Sequence, residues 1–262
     1  MWIELLGNVN YIDSAIFPIR IIVSILGVFA VGILIEWLRQ QLMKGMKSVL
    51  INRVIGRVRN RVWTYKRKKL NQANRERLKV HETSIISMNC NGGILSHDLG
   101  LQFLSPTVNL FFRAEDFIKF CENLKYYLSI DKMTECTDSD TIGKRTYPIA
   151  YLGDLTLYLV HYTSVAEAEE KWNERKKRIN WNNIVIMNTD REGVTDELKD
   201  RFEKLPYRKV MFVHQPDETH PSCFYIKGYE EQECVGIITD HDTWDGKRPI
   251  DQFDYVAFLN GK

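Results

Sequence analysis

Apolar residues are spaced along this chain in two different ways. From residue 21 to 35 they form one nearly unbroken run, whereas beyond residue 83 short apolar runs alternate with amphipathic stretches. The short runs predict buried strands at 84–89, 107–112, 155–162, 183–188 and 209–214, with three shorter ones at 224–226, 235–238 and 255–259. Helices are predicted between them. In 115–128, Phe117, Phe120, Cys121, Leu124 and Leu128 recur on one helical face. A charged helix is predicted from Ser164 to about 179, opened by Ser164 with Glu167 three residues on, the spacing of a capping box. Another opens at Thr195 with Leu198 and is bounded by Pro206. Residues 134–146 are polar and read as a surface loop. This alternation predicts an α/β domain of three layers with a mostly parallel central sheet. The last three strands have no helices between them, so a mixed edge is expected there.

As a helix, the run at 21–35 spans about 22 Å, short of the ~30 Å hydrocarbon core of a bilayer. Extended back to Ser14 it reaches spanning length, interrupted only by Arg20, a residue able to snorkel toward an interface. Trp37 stands at its end as an interfacial anchor. A cleavable signal peptide carries its charges before the apolar stretch, not after it. A buried helix of a soluble domain is seldom apolar all round. A single transmembrane helix is therefore expected. Residues 21–39 also resemble, over this short stretch, the last helix of integral membrane sugar acyltransferases.

Charge adds a direction. The net charge of +2 hides about +13 over residues 39–79, where Glu76 is the one acid, and about −9 over residues 80–262. Basic residues directly after an apolar helix keep that end inside. The expectation is a single-pass protein of the cell membrane with its large domain in the cytoplasm. Val49, Leu50, Val54, Val58 and Val62 recur near every third or fourth position among the arginines, which suits an interfacial helix. A solvated basic linker fits the same composition. The expected partner is the anionic lipid of the inner leaflet, at ~1 kcal/mol per basic residue near the surface. The acidic remainder is a poor surface for phosphate, and no nucleic-acid partner is expected. The chain thus divides into a membrane anchor (1–38), a basic juxtamembrane stalk (39–80) and an α/β domain (81–262).

Ligands of open α/β sheets sit at the carboxyl ends of strands, and candidate chemistry is read there. The first predicted strand runs into Asn89-Cys90-Asn91-Gly92-Gly93. Glycines at that place let backbone N–H groups approach an anion, or simply make a tight turn. The stretch is neither GxGxxG nor a P-loop. His97-Asp98 follows as an acid/base pair or a helix-surface pair. Gly153-Asp154 leads the strand 155–162, and His161 near its end is placed for general-base work or for a bond to backbone. Asp190, after the strand 183–188, suits a sugar hydroxyl, a ribose, a metal or a turn. Arg175, beside Trp172, Lys176, Lys177 and Arg178, offers a cation for phosphate or carboxylate, or belongs to a solvated face with Trp172 inward. Asp138/Asp140 and Asp240/Asp242 have Asp-x-Asp spacing, which can hold a divalent ion but is common in polar loops; no metal site is assigned. No GxSxG elbow occurs. The five cysteines (Cys90, Cys121, Cys136, Cys223, Cys234) lack paired spacing, which argues against a disulfide framework and fits free thiols. The candidate catalytic set is His161, Asp98 and His97. The candidate binding set is Asn89, Gly92, Gly93, Asp154, Asp190 and Arg175. No cofactor is specified.

An ordered set of short motifs carries a family resemblance: Asn89-Cys-Asn-Gly-Gly, Leu99-Gly-Leu, Leu104-Ser-Pro-Thr, Phe117-Ile-Lys-Phe-Cys-Glu-Asn-Leu, Tyr147-Pro, Leu152-Gly-Asp, His161-Tyr, Lys171-Trp-Asn-Glu-Arg-Lys-Lys-Arg-Ile-Asn and Asp190-Arg-Glu-Gly. Across about residues 83–229 these resemble the bacterial DUF1919 family, often labelled exopolysaccharide biosynthesis proteins. The resemblance implies an α/β fold and a setting in capsule or exopolysaccharide assembly. Asn91 stands where a larger residue is expected. The N-terminal anchor lies outside the resemblance. A membrane-anchored transferase of glycosyl or acyl type is expected, acting on a nucleotide-sugar or lipid-linked glycan, with His161 as base. The alternative is a non-catalytic adaptor that recruits polysaccharide-assembly proteins to the inner membrane face.

Overall fold

The computed structural model describes residues 31–36, 38, 49–143, 145–240 and 243–261. The chain falls into two units, Met1–Asn60 and Arg61–Lys262. In the first, residues 31–36 and 38 are helical and exposed. Most of the predicted membrane span lies at residues 14–30, outside the described residues. Among the described residues no helix is long and apolar enough to cross a membrane.

The larger unit is built on a four-stranded sheet, every pair parallel. In chain order its strands are β1 (Ser84–Ser87), β5 (Ile184–Thr189), β6 (Arg208–Val213) and β7 (Cys223–Tyr225), paired in the order β1-β5-β6-β7. Alternate residues feed two cores. Ile86, Ile184, Ile186, Met211 and Val213 pack with Phe112, Phe117, Phe120, Trp172 and Phe202. Ile85, Val185, Met187, Val210 and Phe212 pack with Leu95, Leu99, Ile238, Val256 and Leu259. Successive strand side chains point to opposite faces, so a strand apolar at every position must be covered on both.

The covering helices follow the predicted pattern with local differences. Helix α1 (Val49–Arg77) contributes residues 61–77 to this unit, burying Trp63, Arg67 and Asn74 from positions that recur on one helical face. Helix α2 (Asn91–Leu99) follows β1. The helix predicted at 115–128 is two, α3 (Ala114–Glu122) and α4 (Leu124–Ser129), broken where Asn123 leaves helical geometry. Helix α6 (Val165–Lys176) is capped by the Ser164 side chain, which accepts from the Glu167 N–H, while the Glu167 carboxylate reaches the Thr163 N–H. Helix α7 (Asp196–Glu203) is capped by Thr195, which accepts from the Leu198 N–H.

Several expectations are corrected. The run at 155–162 yields β4 (Leu155–Tyr158), which lies outside the parallel sheet. It pairs antiparallel with β3 (Ile149–Leu152), and β3 pairs with β2 (Thr134–Glu135). The region predicted as a loop thus supplies β2 and also a short helix, α5 (Ser139–Ile142), capped by Asp138. Residues 107–112 form only an isolated bridge, Phe111 to Tyr158, because Asn109 takes a left-handed φ of 70° that breaks an extended run. The mixed edge is absent from the parallel sheet. Cys223–Tyr225 pairs parallel, 235–238 is no strand, and Tyr255–Leu259 is a helix, α8, capped by Asp254 and preceded by a 3₁₀ turn at Pro249–Gln252. Short apolar runs fit either period; here the apolar residues Val256 and Leu259 close the second core in helical spacing.

Candidate functional site

A groove opens where the carboxyl ends of β1 and β5 meet the segment that follows β4. One lobe, of about 350 Å³, is lined by Met88 through Asn91, Phe111, Val160, His161, Arg191, Glu192, Ile237 and Thr239, among others. A second lobe, of about 390 Å³, is lined by Gly93, His97, Asp98, Phe103, Asn109, His161 and Arg248, among others. Cys90, Ile94 and His161 border both lobes, so the two adjoin at these residues. The only non-glycine residues with positive φ among the described residues are Asn109 (70°) and Glu192 (59°), one in each lobe. Such backbone costs about 1–3 kcal/mol per residue and gathers at functional sites.

The turn from β1 into α2 makes the groove floor. The Asn89 side-chain oxygen accepts from the Asn91 N–H at 3.1 Å, and its amide donates to Thr189 Oγ1 at 3.3 Å. The Thr239 hydroxyl lies 3.4 Å from the Asn91 side-chain oxygen. These amides therefore shape the turn and leave Cys90 facing both lobes. Burial pushes the Cys90 thiol above its ordinary range. Gly92 is a packing residue: a Cβ there would sit 2.8 Å from Ser87 Cβ, so glycine lets the helix start close against β1. Gly93 lines the second lobe, with Val108 3.2 Å from where its Cβ would be.

His161 reaches the groove from β4's C-terminal extension, held by its own N–H on the Asn109 carbonyl at 3.3 Å. Its imidazole is exposed at the junction of the lobes. Phe111, in the first lobe, is stacked on Tyr158 with ring centroids 4.5 Å apart, presenting a fixed aromatic face. Among the described residues neither His161 nor Arg191 has a side-chain hydrogen-bond or ion-pair partner, so an imidazole and a guanidinium are both available in the first lobe.

The other sequence candidates act on the frame of the site. The Asp190 side chain is 7% exposed; one carboxylate oxygen accepts from the Val235 N–H at 2.8 Å, the other from the His214 N–H at 2.7 Å and pairs with His214 Nδ1 at 2.5 Å. It fixes the segment carrying Gly236 and Ile237, which wall the groove. Asp98 touches the second lobe, yet its carboxylate is held by Arg67 at 2.9 Å and Arg248 at 2.5 Å. Arg67 also pairs with Asp251 at 2.6 Å. Burial pulls the Arg67 pKa down, but Asp251 and Asp98 outweigh it and hold the guanidinium more firmly charged than usual. His97, at 81% exposure, sits on the rim. Asp154 lies outside both lobes in the β3–β4 turn, paired with Lys119 and accepting from the Tyr127 hydroxyl, and both contacts lower its pKa. Arg175 donates to the Tyr162 hydroxyl at 2.7 Å and to the Val108 carbonyl at 3.3 Å, which props the segment under the second lobe, while Trp172 packs inward. Asp242 lies outside the described residues.

Among the described residues, Asp217, His220 and Cys223 bring ligand-type atoms within 4.8 Å of one another, away from the groove. A metal there would meet an occupied carboxylate: Asp217 already accepts from Lys199, from two backbone N–H groups and from His220 Nδ1. Burial pushes the Cys223 thiol up to about 12. This cluster is read as a hydrogen-bonded clasp between α7 and the β6–β7 connection.

Sequence reasoning thus reached Asn89, Gly93, His97, Asp98 and His161 as groove-lining residues, and missed Cys90, Phe111, Arg191, Glu192 and Arg248. Arg191 and Glu192 carried a readable signal, since they follow Asp190 directly at a strand end. Phe111 and Arg248 carried none, because they arrive from segments that only the tertiary fold brings near. A family model described as "Domain of unknown function (DUF1919)" matches residues 61–260. An uncharacterized protein of Haemophilus influenzae is 38% identical over 192 residues, covering 73% of this chain and 90% of its own. The matched region contains every residue of the groove and begins within α1.

Proposed function

This chain belongs to the DUF1919 family, and for it we propose a transferase that moves a glycosyl or acyl group to or from a sugar-bearing anionic intermediate, a nucleotide-sugar or lipid-linked glycan, in capsule or exopolysaccharide assembly. The polysaccharide setting comes from the resemblance in the sequence, and the membrane address from its N-terminal pattern. The observation that carries the chemistry is the pair of adjoining lobes with His161 in the lining of both. A transfer reaction needs two ligand moieties held on either side of a proton carrier. In the first lobe the Phe111 face suits a sugar ring, and Arg191 suits a phosphate or carboxylate on the same molecule. The second lobe takes the acceptor. His161, reaching both, removes the acceptor hydroxyl proton as that oxygen attacks, and the leaving group departs into the first lobe with the bonding pair.

The test is thermal-shift screening of the full chain against UDP-glucose, GDP-mannose, UDP and inorganic phosphate, followed by turnover assays on any binder. A nucleotide-sugar should raise the melting temperature. Arg191→Ala should weaken binding by roughly tenfold or more, as loss of a charge-assisted contact does. His161→Ala should keep the shift and lose turnover by 10²–10⁴-fold. Absence of any shift across a broad nucleotide-sugar panel, with in-cell polysaccharide assembly unaffected by His161→Ala, would sink the enzyme reading and favour the adaptor.

A further inference from the structure

The structure sorts the cations of the basic segment into two classes. Within residues 61–77 of α1, Arg67 is spent in a buried pair with Asp98 and Asp251, Arg75 donates to the carbonyls of Asp98 and His97, and Arg77 pairs with Asp254. The buried side of this stretch, carrying Trp63, Arg67 and Asn74, is fastened to the body of the unit, with Asn74 also donating to the Tyr255 hydroxyl at 2.8 Å. Arg61, Lys68 and Lys69 lie on the opposite side and are exposed. Positions 61, 65, 68, 69 and 72 recur on one face of a 3.6-residue helix, so the three cations form one stripe with Tyr65 among them. Tyr65 is 60% exposed, and its ring lies beneath the Lys69 ammonium at 4.7 Å. The stripe is rigidly presented, because the opposite face cannot turn outward without breaking the Arg67 ion pairs.

We propose that this stripe is a docking surface for an anionic lipid bilayer. The inference goes beyond the reading of the groove and does not depend on it. A flat anionic surface matches a straight row of cations on a helix lying along the outside of a domain. An amphipathic tyrosine amid that row suits the headgroup level. A nucleic acid would have to approach past a remainder carrying about −9 over residues 80–262, whereas a bilayer need touch only the stripe.

The test is flotation of the full chain with vesicles of phosphatidylcholine alone or with 30 mol % phosphatidylglycerol, at 50 and 500 mM salt. Wild type is compared with Arg61→Glu/Lys68→Glu/Lys69→Glu and with Lys68→Arg/Lys69→Arg. The apolar N-terminal stretch and the cations of residues 39–60 are the same in every variant, so only differences between variants are read. Phosphatidylglycerol should raise partition several-fold at low salt, and high salt should erase the gain. The charge-reversed variant should lose most of that several-fold gain, while the arginine variant keeps it. All three positions are exposed, so melting temperatures should stay level and confirm that the variants fold. The proposal is overturned if the gain from phosphatidylglycerol is absent, or if charge reversal leaves it undiminished. Salt-sensitive binding of a 20-nucleotide single-stranded RNA that outcompetes the vesicles and is lost in the same variant would assign the stripe to nucleic acid instead. A groove without ligands leaves these results unchanged, so the two proposals fail separately.

Discussion

The Asp190 carboxylate holds His214 Nδ1 at 2.5 Å and, through its other oxygen, the backbone N–H of Val235 at 2.8 Å. One side chain at the end of β5 therefore ties the end of β6 to the segment that walls the groove. Asp190→Ala leaves that N–H and the His214 groups without their acceptor, which should destabilise the chain by about 2–4 kcal/mol. The expected signature is a lower urea midpoint together with weaker ligand binding. A residue that touched substrate directly would instead lose turnover at unchanged stability, and that result would move Asp190 back into the binding set.

The Arg67–Asp98 contact makes a contrasting pair with its sequence neighbour His97. Arg67→Ala leaves Asp251 buried without its guanidinium and Asp98 with one partner fewer, for an expected loss of about 3–5 kcal/mol. His97→Ala removes an exposed side chain and should stay within about 0.5 kcal/mol of wild type. Chemical denaturation of both variants checks the order. Equal effects would mean that the network does not fasten α1.

Gly92→Ala places a methyl 2.8 Å from Ser87 Cβ and 3.0 Å from Ile85 Cγ2, both on the neighbouring strand. The helix start must shift outward, at an expected cost of about 1–3 kcal/mol. Gly93→Ala meets only the Val108 methyl at 3.2 Å and should cost less. A melting curve for each variant decides the matter, and a milder Gly92→Ala would show that the turn is not closely packed.

His220 and Asp217, at 6% and 11% exposure, give the clasp a pH window. Burial opposes charge on His220, but Asp217 and Asp200 outweigh it and raise its pKa above the usual histidine value. Burial likewise opposes charge on Asp217, and Lys199 and His220 outweigh it and lower its pKa. A raised histidine stabilises below its unfolded pKa and loses that contribution as pH rises through the folded one. A lowered aspartate stabilises above its unfolded pKa and loses it as pH falls through the folded one. Their joint contribution is therefore full between about pH 4 and 6.5. His220→Gln should cost about 1–2 kcal/mol there, and the gap from wild type should narrow by pH 9. Urea titrations at pH 5.5 and 9 measure it, and a gap that widened with pH would reverse the assignment.

Much of this architecture was legible along the chain. Continuous apolar runs at 84–89, 183–188 and 209–214 specify strands buried on both faces, which only a covered, largely parallel sheet satisfies. Ser164 and Thr195 marked their helix starts because a cap acts on N–H groups two or three residues away. The run 155–162 was recognisably a strand, but the sheet it joined depended on β3, a partner chosen by long-range pairing. The run 255–259 was too short for its period to separate helix from strand, and contact with the second core decided it.

The site divides in the same way. Sequence by itself pointed to the residues that follow strand ends; Asn89 follows a strand of the parallel sheet, whereas His161 follows β4, which lies outside it. Sequence also determined the charge asymmetry, since ionisable groups can be counted without coordinates. Only the tertiary structure decided which of those groups are available. Asp98, Asp190 and Arg67 look alike in sequence to any exposed acid or base, yet each has a buried side chain committed to a partner 24 or more residues away. Burial and pairing set whether a charge holds the frame or meets a ligand, and both arise from contacts between distant segments that local spacing does not encode.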